Sequence, residues 1–310
     1  MSFSSDVKIE LATQVIDKDC CALSELTALV NTSGTLSIRG KGDFAIILKF
    51  EQAPIARRTF SLVRKMFKVS PQLKRIKHPR FGGRHQYTIT IDSKAAMSLL
   101  QMLNMLEQTD NAFKIISTYP KYYPKKSCCK RAFLKGVFLG AGSLQNPTKG
   151  YHLELVLQSE RLSKQILRVA KSVNLDFKQV LRRNKYVLYM KKNEEISDFL
   201  AFIGAYQAVM NLEDTVITKG IFNQINRAMN CDNSNINKQM EASDKHIADI
   251  NFLKSKNIDL PKKLKDVAQL RLNNPHASLE ELGAKMKPPL SKSGINYRLK
   301  KISELANKYR

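Results

Sequence analysis

Hydrophobic and polar residues follow each other along this chain in two similar series of short strands and amphipathic helices. In the first series, apolar alternation predicts strands and 3.6-residue spacing predicts helices; the strands are 35–40, 44–50, 72–78 and 85–91, and the helices 53–67 and 93–106. In the second series the strands are 151–158, 176–183 and 185–191, and the helices 161–173 and 193–210. With an apolar helix before each series, the pattern predicts two αββαββα halves.

The two leading helices are copies of one repeat. A shift of 108 residues lays DCCALSELTALVNTSGTL at 19–36 over SCCKRAFLKGVFLGAGSL at 127–144 without a gap. Both copies carry small residues toward their ends, and helices approach closely only where Cβ atoms are small or absent. These residues are Ala28, Thr32, Ser33 and Gly34 in the first copy and Gly136, Gly140, Ala141 and Gly142 in the second. We expect the two helices to pack against each other.

The C-terminal part of the chain has a purely helical pattern. Residues 217–259 are rich in Asn and Gln with apolar residues at helical spacing, which predicts one or two long connecting helices. The Asn residues fit a solvated hinge as well as phosphate contacts. We therefore divide the chain into a first half at 1–108, a second half at 109–216, a helical connector at 217–259 and a C-terminal domain at 260–310.

Residues 260–310 predict three short helices. Pro261 opens the first, and Ser278 with Glu281 forms a capping box at the second. After Pro288 and Pro289 the third helix begins at Ser291. Its apolar face is formed by Ile295, Leu299, Ile302 and Leu305. A short capped helix, a turn and a second helix with a basic outer face is the layout of a helix-turn-helix reader of DNA.

The polar face of this third helix and its surroundings provide candidate DNA contacts. Asn pairs with adenine edges, Arg with guanine or phosphate, and Lys mainly with phosphate. The candidates are Ser278, Lys285, Lys287, Ser291, Lys292, Ser293, Asn296, Tyr297, Arg298, Lys300 and Lys301. The alternative is a basic three-helix module that binds protein.

The charge of the chain favours a polyanionic partner. Its 52 Lys and Arg outnumber 27 Asp and Glu, which leaves a net charge of +25 concentrated toward both ends. Each contacted phosphate releases condensed counterions, so nucleic acid is the leading partner. Candidate phosphate contacts near the PRFGG turn are Lys74, Arg75, Lys77, Arg80 and Arg84. A solvated surface or a general lysine bias would give the same net charge.

No segment of the sequence has the character of a targeting or membrane segment. The first twenty residues lack an apolar signal core, and the longest apolar run, FLAFIGAYQAVMNL, is shorter than the ~20 residues that a span needs. We expect a soluble, cytoplasmic, nucleoid-associated protein without a membrane partner.

Five cysteines raise the question of a metal site. Structural zinc sites favour two cysteines separated by two to four residues, whereas adjacent cysteines on one helix point about 100° apart. We therefore interpret Cys20–Cys21 and Cys128–Cys129 as small apolar packing residues, and Cys231 as buried. The sequence predicts no metal site and no cofactor.

The repeated halves resemble the LAGLIDADG homing endonuclease fold. In that family two such helices pair at a pseudo-twofold axis, and the sheets form a saddle over the DNA major groove. The resemblance implies a metal-binding carboxylate at the penultimate motif position, and Ser33 and Ala141 stand there. We therefore expect no catalytic residues and no nuclease activity. The nearest acids that could substitute in the first copy are Asp17, Asp19, Glu25 and Asp43.

Taken together, the chain resembles the WhiA regulators of bacteria, which join a degenerate LAGLIDADG body to a helix-turn-helix domain. FLKGVFLGAGS at 133–143 and SKSGINYRLKKI at 291–302 are the most specific segments. The resemblance implies an α+β protein that regulates transcription, linked to sporulation in some relatives and to cell division and chromosome segregation in others. We expect a non-catalytic, sequence-specific binder of double-stranded DNA without a small-molecule substrate; another transcription factor or RNA polymerase is a further candidate partner.

Two other classes of function remain open at the level of sequence. One is an RNA-binding, maturase-like protein, because the missing acids argue against cutting but not against binding RNA. The other is a division-linked interaction scaffold whose basic surfaces contact acidic proteins, with DNA binding secondary. The operator sequence, the direction of regulation and the oligomeric state are not encoded in a recognisable motif.

Overall fold

The chain folds into two compact units, which a computed structural model describes for residues 2–15, 18–40, 43–77, 85–109, 112–116 and 122–310. The first unit, here called the body, comprises residues 1–218, and the C-terminal unit comprises residues 219–310. The predicted class is confirmed: an α+β body with two αββαββα halves is followed by an all-α unit.

The body contains two similar series of elements. The first is α1 (Phe3–Thr13), α2 (Asp19–Ser33), β1 (Gly34–Gly40), β2 (Asp43–Phe50), α3 (Ala53–Phe67), β3 (Gln72–Lys77), β4 (His85–Asp92), α4 (Ser93–Met102), β5 (Leu106–Thr109) and β6 (Ala112–Ile115). The second is α5 (Ser127–Ala141), β7 (Gly142–Leu144), β8 (Leu153–Leu157), α6 (Glu160–Lys171), β9 (Lys178–Arg182), β10 (Lys185–Met190) and α7 (Asn193–Ile203). Helix α1, strand β7 and the β5–β6 hairpin have no counterpart in the sequence prediction.

Each half of the body forms one four-stranded antiparallel sheet. The strand orders are β1-β2-β4-β3 and β7-β8-β10-β9, so the two sheets have the same topology. Register is set by alternating burial, because Leu153, Leu155 and Leu157 of β8 are buried while the residues between them are partly exposed. β3 and β9 stand at equivalent edges of the two sheets.

Helices α2 and α5 run parallel through the core of the body. Cys129 Sγ lies 3.6 Å from the carbonyl oxygen of Cys20 near their beginnings, and Ser33 Oγ donates to the carbonyl of Gly140 at 3.3 Å near their ends. A Cβ at Gly136 would lie 2.7 Å from the carbonyl oxygen of Glu25. The predicted pairing of the two repeat helices is therefore present, and absent or small side chains permit it.

The sequence predicted a single helix over 193–210, but the helix is interrupted at Gly204. Gly204 has a φ of +93° and ends α7, because its amide N–H bonds to the last turn of that helix. The next helix, α8 (Tyr206–Ser255), has 50 residues. Its first turn is capped by Glu10 of α1, whose carboxylate accepts from the amides of Gln207 and Ala208 at 2.9 and 3.1 Å.

The C-terminal unit is a small helical domain built on the end of α8. It adds α9 (Lys262–Asn273), α10 (Leu279–Lys285) and α11 (Lys292–Tyr309). Its core is formed by Ile250, Leu253, Val267, Leu282, Ile295, Leu299 and Ile302. Within the described parts of the chain, no helix combines the length and apolar character required to cross a membrane.

Candidate nucleic-acid interface

Helix α11 has one buried and one exposed face. Ser291 caps its start by accepting from the amide of Gly294 at 3.2 Å, and Ile295 and Leu299 are fully buried. Burial of this stripe turns the opposite side of the helix to solvent. The exposed candidates on this helix, in the preceding turn and at the end of α10 are Lys285, Lys287, Ser291, Lys292, Ser293, Asn296, Tyr297, Lys300 and Lys301.

Two other candidates of this surface, Ser278 and Arg298, are half-buried. The Ser278 hydroxyl accepts from the Glu281 amide at 3.2 Å while the Glu281 carboxylate accepts from the Ser278 amide at 2.7 Å, so the predicted capping box is confirmed. The hydrogen bond from the Ser278 amide holds the pKa of Glu281 below its usual value. The Ser278 side chain is therefore the N-cap of α10.

The ammonium of Lys301 lies 5.1 Å from the centroid of the Tyr297 ring, one helical turn away. A hydrogen bond with Tyr297 raises the pKa of Lys301, so this lysine stays cationic. Lys285 donates to Asn274 Oδ1 at 2.6 Å. α11 thus presents an amide, hydroxyls, an aromatic ring and fixed positive charge on one surface.

Arg271 is a buried residue that sequence reasoning did not identify. It is 2% exposed, and its guanidinium donates to the carbonyl oxygens of Pro275 and Ala277 at 3.3 and 2.7 Å. These bonds hold the turn between α9 and α10. The signal in the sequence is an arginine on the apolar face of a helix just before a proline turn.

The body presents a second basic surface at the edge strands of its sheets. All six residues of β3 are exposed, among them Lys74, Arg75 and Lys77. The Arg75 guanidinium lies 2.5 Å from His85 Nε2 on β4. The candidates Arg80 and Arg84 lie outside the described residues.

The equivalent edge strand of the second half is basic as well. Lys178 and Arg182 of β9 are exposed, Arg183 follows in the turn, and Lys185 opens β10. Sequence reasoning missed these residues, although the internal repeat would have pointed to them. Both sheets therefore carry cations at the same topological position.

Ser33 and Ala141 are the last residues of α2 and α5, so the penultimate motif positions of the two helices lack carboxylates. Among the acids named as substitutes, Asp19 lies at the opposite end of α2 and Asp43 opens β2. Asp17 lies outside the described residues.

Glu25 is committed to a buried ion cluster. Its carboxylate accepts from Nε and an NH2 group of Arg58 and lies 3.4 Å from the ammonium of Lys135. Arg58 also donates to the carbonyl of Gln14 at 2.6 Å. Burial lowers the pKa of Lys135, and the charge of Glu25 opposes that shift. Glu25 therefore pairs with two cations in the core.

The structure brings the two cysteine pairs together, which the spacing within each helix did not indicate. The sulfur atoms of Cys20, Cys21, Cys128 and Cys129 all lie within 4.8 Å of one another. The spacing argument treated each helix alone, whereas parallel pairing of α2 and α5 brings both first turns together. Cys231, predicted to be buried, is exposed on α8. The residues on either side of it, Asn230 and Asp232, are polar and exposed as well.

The four thiols perturb one another. Burial and contact with neighbouring thiols raise the pKa of Cys21 to about 12. A hydrogen bond from Cys21 lowers the pKa of Cys128, with a contribution from the charge of Lys18.

A body of two LAGLIDADG-like halves joined to a helix-turn-helix unit defines the class of protein. Sequence models described as the WhiA N-terminal LAGLIDADG-like domain, the WhiA LAGLIDADG-like domain and the WhiA C-terminal HTH domain match residues 19–106, 130–221 and 225–306. The chain belongs to the WhiA family.

Relatives and a solved structure extend over the whole chain. Proteins named "Probable cell division protein WhiA" from Alkaliphilus metalliredigens and Thermoanaerobacter sp. are 36% and 37% identical, covering 100% and 99% of this chain and 99% and 98% of theirs. Full-length DUF199/WhiA from Thermatoga maritima is similar in fold, with a TM-score of 0.61, 24% identity and 99% coverage of both chains.

Proposed function

We propose that this protein is a non-catalytic regulator that reads double-stranded DNA with α11 and holds the DNA backbone with the basic edge strands of its body. The observation that carries the proposal is the exposed face of α11, where Asn296, Lys292 and Lys300 stand opposite a fully buried stripe. Asn and Lys at successive turns of one helix suit base edges flanked by phosphates.

The division of labour follows the proposed domains. The halves at 1–108 and 109–216 supply sequence-independent affinity, the connector at 217–259 links them to the reader, and residues 260–310 supply base contacts. In the reader, Ser278 positions α10 from a half-buried site, and Arg298 contacts guanine or phosphate. In the body, Lys74, Arg75 and Lys77 contact phosphates, as do Lys178 and Arg182.

Base reading is tested by selecting bound sequences from a random duplex pool at about 150 mM salt, where long-range attraction is screened. We expect the intact chain to enrich one motif and Asn296→Ala to lose preference at one position, with affinity falling by roughly 10- to 100-fold. Asn307→Ala, an exposed position three turns further along α11, is the matched control and keeps the motif. Enrichment of structured RNA over duplex, or no motif from the intact chain, would contradict the proposal.

The absence of catalysis is tested directly. Magnesium catalysis of phosphodiester hydrolysis needs carboxylate ligands, and Ser33 and Ala141 supply none. Incubating the protein with its selected duplex and Mg²⁺ or Mn²⁺ should leave both strands intact. Specific strand breaks that disappear in chelator would show an active nuclease.

We extend the proposal to the cell because full-length relatives are named cell division proteins. In this proposal the protein is cytoplasmic, associates with the nucleoid and acts on transcription linked to division and chromosome segregation. Crosslinking to chromosomal DNA in growing cells should recover the selected motif, and Asn296→Ala should abolish that recovery. If the Asn296→Ala variant restored normal division to cells that lack the protein, that result would favour a scaffold role instead.

A further inference from the structure

The first turns of α2 and α5 form a cluster of four thiols. Each helix contributes two adjacent cysteines at its second and third positions, and the four sulfurs lie within 4.8 Å of one another. Adjacent side chains on one helix diverge, so neither pair alone surrounds a point. Two parallel helices related by the internal repeat place two diverging pairs face to face, which produces a four-cornered arrangement.

The dimensions of this cluster fit one small ion. Four sulfurs around Zn²⁺ at about 2.3 Å form a tetrahedron with edges of about 3.8 Å, so closure from 4.8 Å needs only rotamer adjustments of about 1 Å. All four cysteines are free thiols, and a disulfide would join only two of the four sulfurs. We propose that Cys20, Cys21, Cys128 and Cys129 bind a single Zn²⁺ ion as four thiolates.

The surroundings suit the charge of such a centre. Four thiolates and one Zn²⁺ carry two negative charges in total, and each helix N-terminus presents roughly half a positive charge. Lys18 and Lys126 are the N-cap residues of α2 and α5, and Lys18 is close enough to Cys128 to interact electrostatically. Two parallel helix starts that would repel each other gain an anion between them.

Two hydroxyl groups border the thiol cluster, in the position of the outer hydrogen-bonding groups that orient metal ligands. Ser24 Oγ donates to the carbonyl of Cys20 at 2.9 Å and lies 2.6 Å from the hydroxyl of Tyr122. Both hydroxyls lie beside Cys129, which is buried, whereas the other three cysteines are half-buried. The site is therefore closed on one side and reachable from the other.

Four protein ligands leave no position for water, so this centre is structural. It lies at the start of α2 and α5, and Ser33 and Ala141 lie at their ends. The ion crosslinks the two halves of the body at the end remote from the degenerate acid positions.

The test uses the full chain purified under reducing conditions without added metal. We expect about one Zn per chain by elemental analysis, and Co²⁺ added after chelation should give the visible absorption of a tetrahedral thiolate complex. Cys21→Ser and Cys128→Ser should each reduce bound zinc at least tenfold. Cys231→Ser, at an exposed thiol on α8, is the matched control and keeps the ion.

Folding and metal loss are separated by two readouts. Circular dichroism of each serine variant verifies that helices persist, and Co²⁺ titration of the unmutated chain does not depend on any variant. The proposal would be overturned if the four thiols of the cluster reacted freely in the purified protein and neither Zn nor a Co²⁺ spectrum were found. A mass lower by two hydrogens, which indicates an interhelical disulfide, would overturn it as well.

Discussion

At the scale of single residues, the body depends on groups that sit between α2 and α5. The carboxylate of Glu25 pairs with Arg58 and Lys135 in a buried position, and removing it would leave both cations without a counter-charge. Gly136 and Gly140 face backbone and side-chain atoms of the opposite helix. Electrostatics and close packing therefore act at the same helix pair.

Gly136→Ala should destabilise the body, although alanine normally favours a helix. The new Cβ would lie 2.7 Å from the Glu25 carbonyl oxygen and 2.8 Å from Ala28 Cβ, so α2 and α5 must move apart. We expect a loss of about 1–3 kcal/mol in the free energy of unfolding, measured by denaturant titration. Gly220→Ala in α8, where nothing lies within 4 Å, is the control and should gain up to about 1 kcal/mol. Equal effects at both positions would contradict the packing argument.

Lys8→Met should stabilise the body near neutral pH. Burial lowers the pKa of Lys8 to about 8 from an ordinary 10.5, against the opposing charge of Glu51. Between pH 8 and 10.5 the unfolded chain binds more protons at this site, so stability of the unmutated protein rises with pH across that window. Thermal midpoints at pH 7 and pH 10 should show that the advantage of the variant shrinks as pH rises. A pH-independent difference would contradict this assignment.

At the scale of elements, capping and turns decide where helices begin and end. The capping box at Ser278 and the N-cap at Ser291 were predictable because both signals are local in sequence. The break at Gly204 was not predicted, because apolar spacing continues through it and the left-handed φ appears only in the structure. The four-residue strands β5 and β6 are too short for their alternation to stand out.

For the candidate sites, too, features set by local sequence were predictable, and features set by contacts between distant segments were not. The α11 surface could be predicted, since a buried stripe within one helix fixes the exposed side. The cysteine cluster could not, because its geometry arises between helices that are 108 residues apart. Cys231 was assigned from residue type alone, and its polar surroundings on α8 determine its exposure instead.

Arg271→Met should weaken the C-terminal unit without touching its exposed surface. The substitution removes the donors that bind the Pro275 and Ala277 carbonyls and leaves those acceptors in a buried turn. We expect the unit to lose about 2–3 kcal/mol of stability and DNA affinity to fall with it. Hydrogen exchange of α9 and α10 measures the loss. Lys263→Met, on the exposed side of α9, should change neither protection nor affinity.

At the scale of the whole molecule, the proposed activity combines one reader surface with two basic sheet edges. The net charge of +25 alone would produce salt-dependent attraction to any nucleic acid. The proposal differs from general charge attraction because it assigns the phosphate contacts to particular strands. The edge strands β3 and β9 hold equivalent positions in their sheets, so both halves are expected to contribute.

The location of phosphate contacts is tested with two variants of equal charge. Lys178→Gln with Arg182→Gln alters β9, and Arg168→Gln with Lys171→Gln alters the exposed side of α6 in the same half. The first pair should reduce the slope of log affinity against log salt by about 0.9 for each lost contact. The second pair should change the slope by less than half as much. Equal slopes for both variants would reduce the body's role to net charge.

The ion cluster at Glu25 also makes the two halves of the body different from each other at equivalent positions. By the internal repeat, Glu25 aligns with Phe133 and Lys135 aligns with Thr27. A symmetric dimer of first halves would lack the lysine, and a dimer of second halves would bury the lysine without its carboxylate. The two copies have diverged into complementary parts, so neither can replace the other. A protein made of two identical halves would therefore need a different set of buried charges at this helix pair.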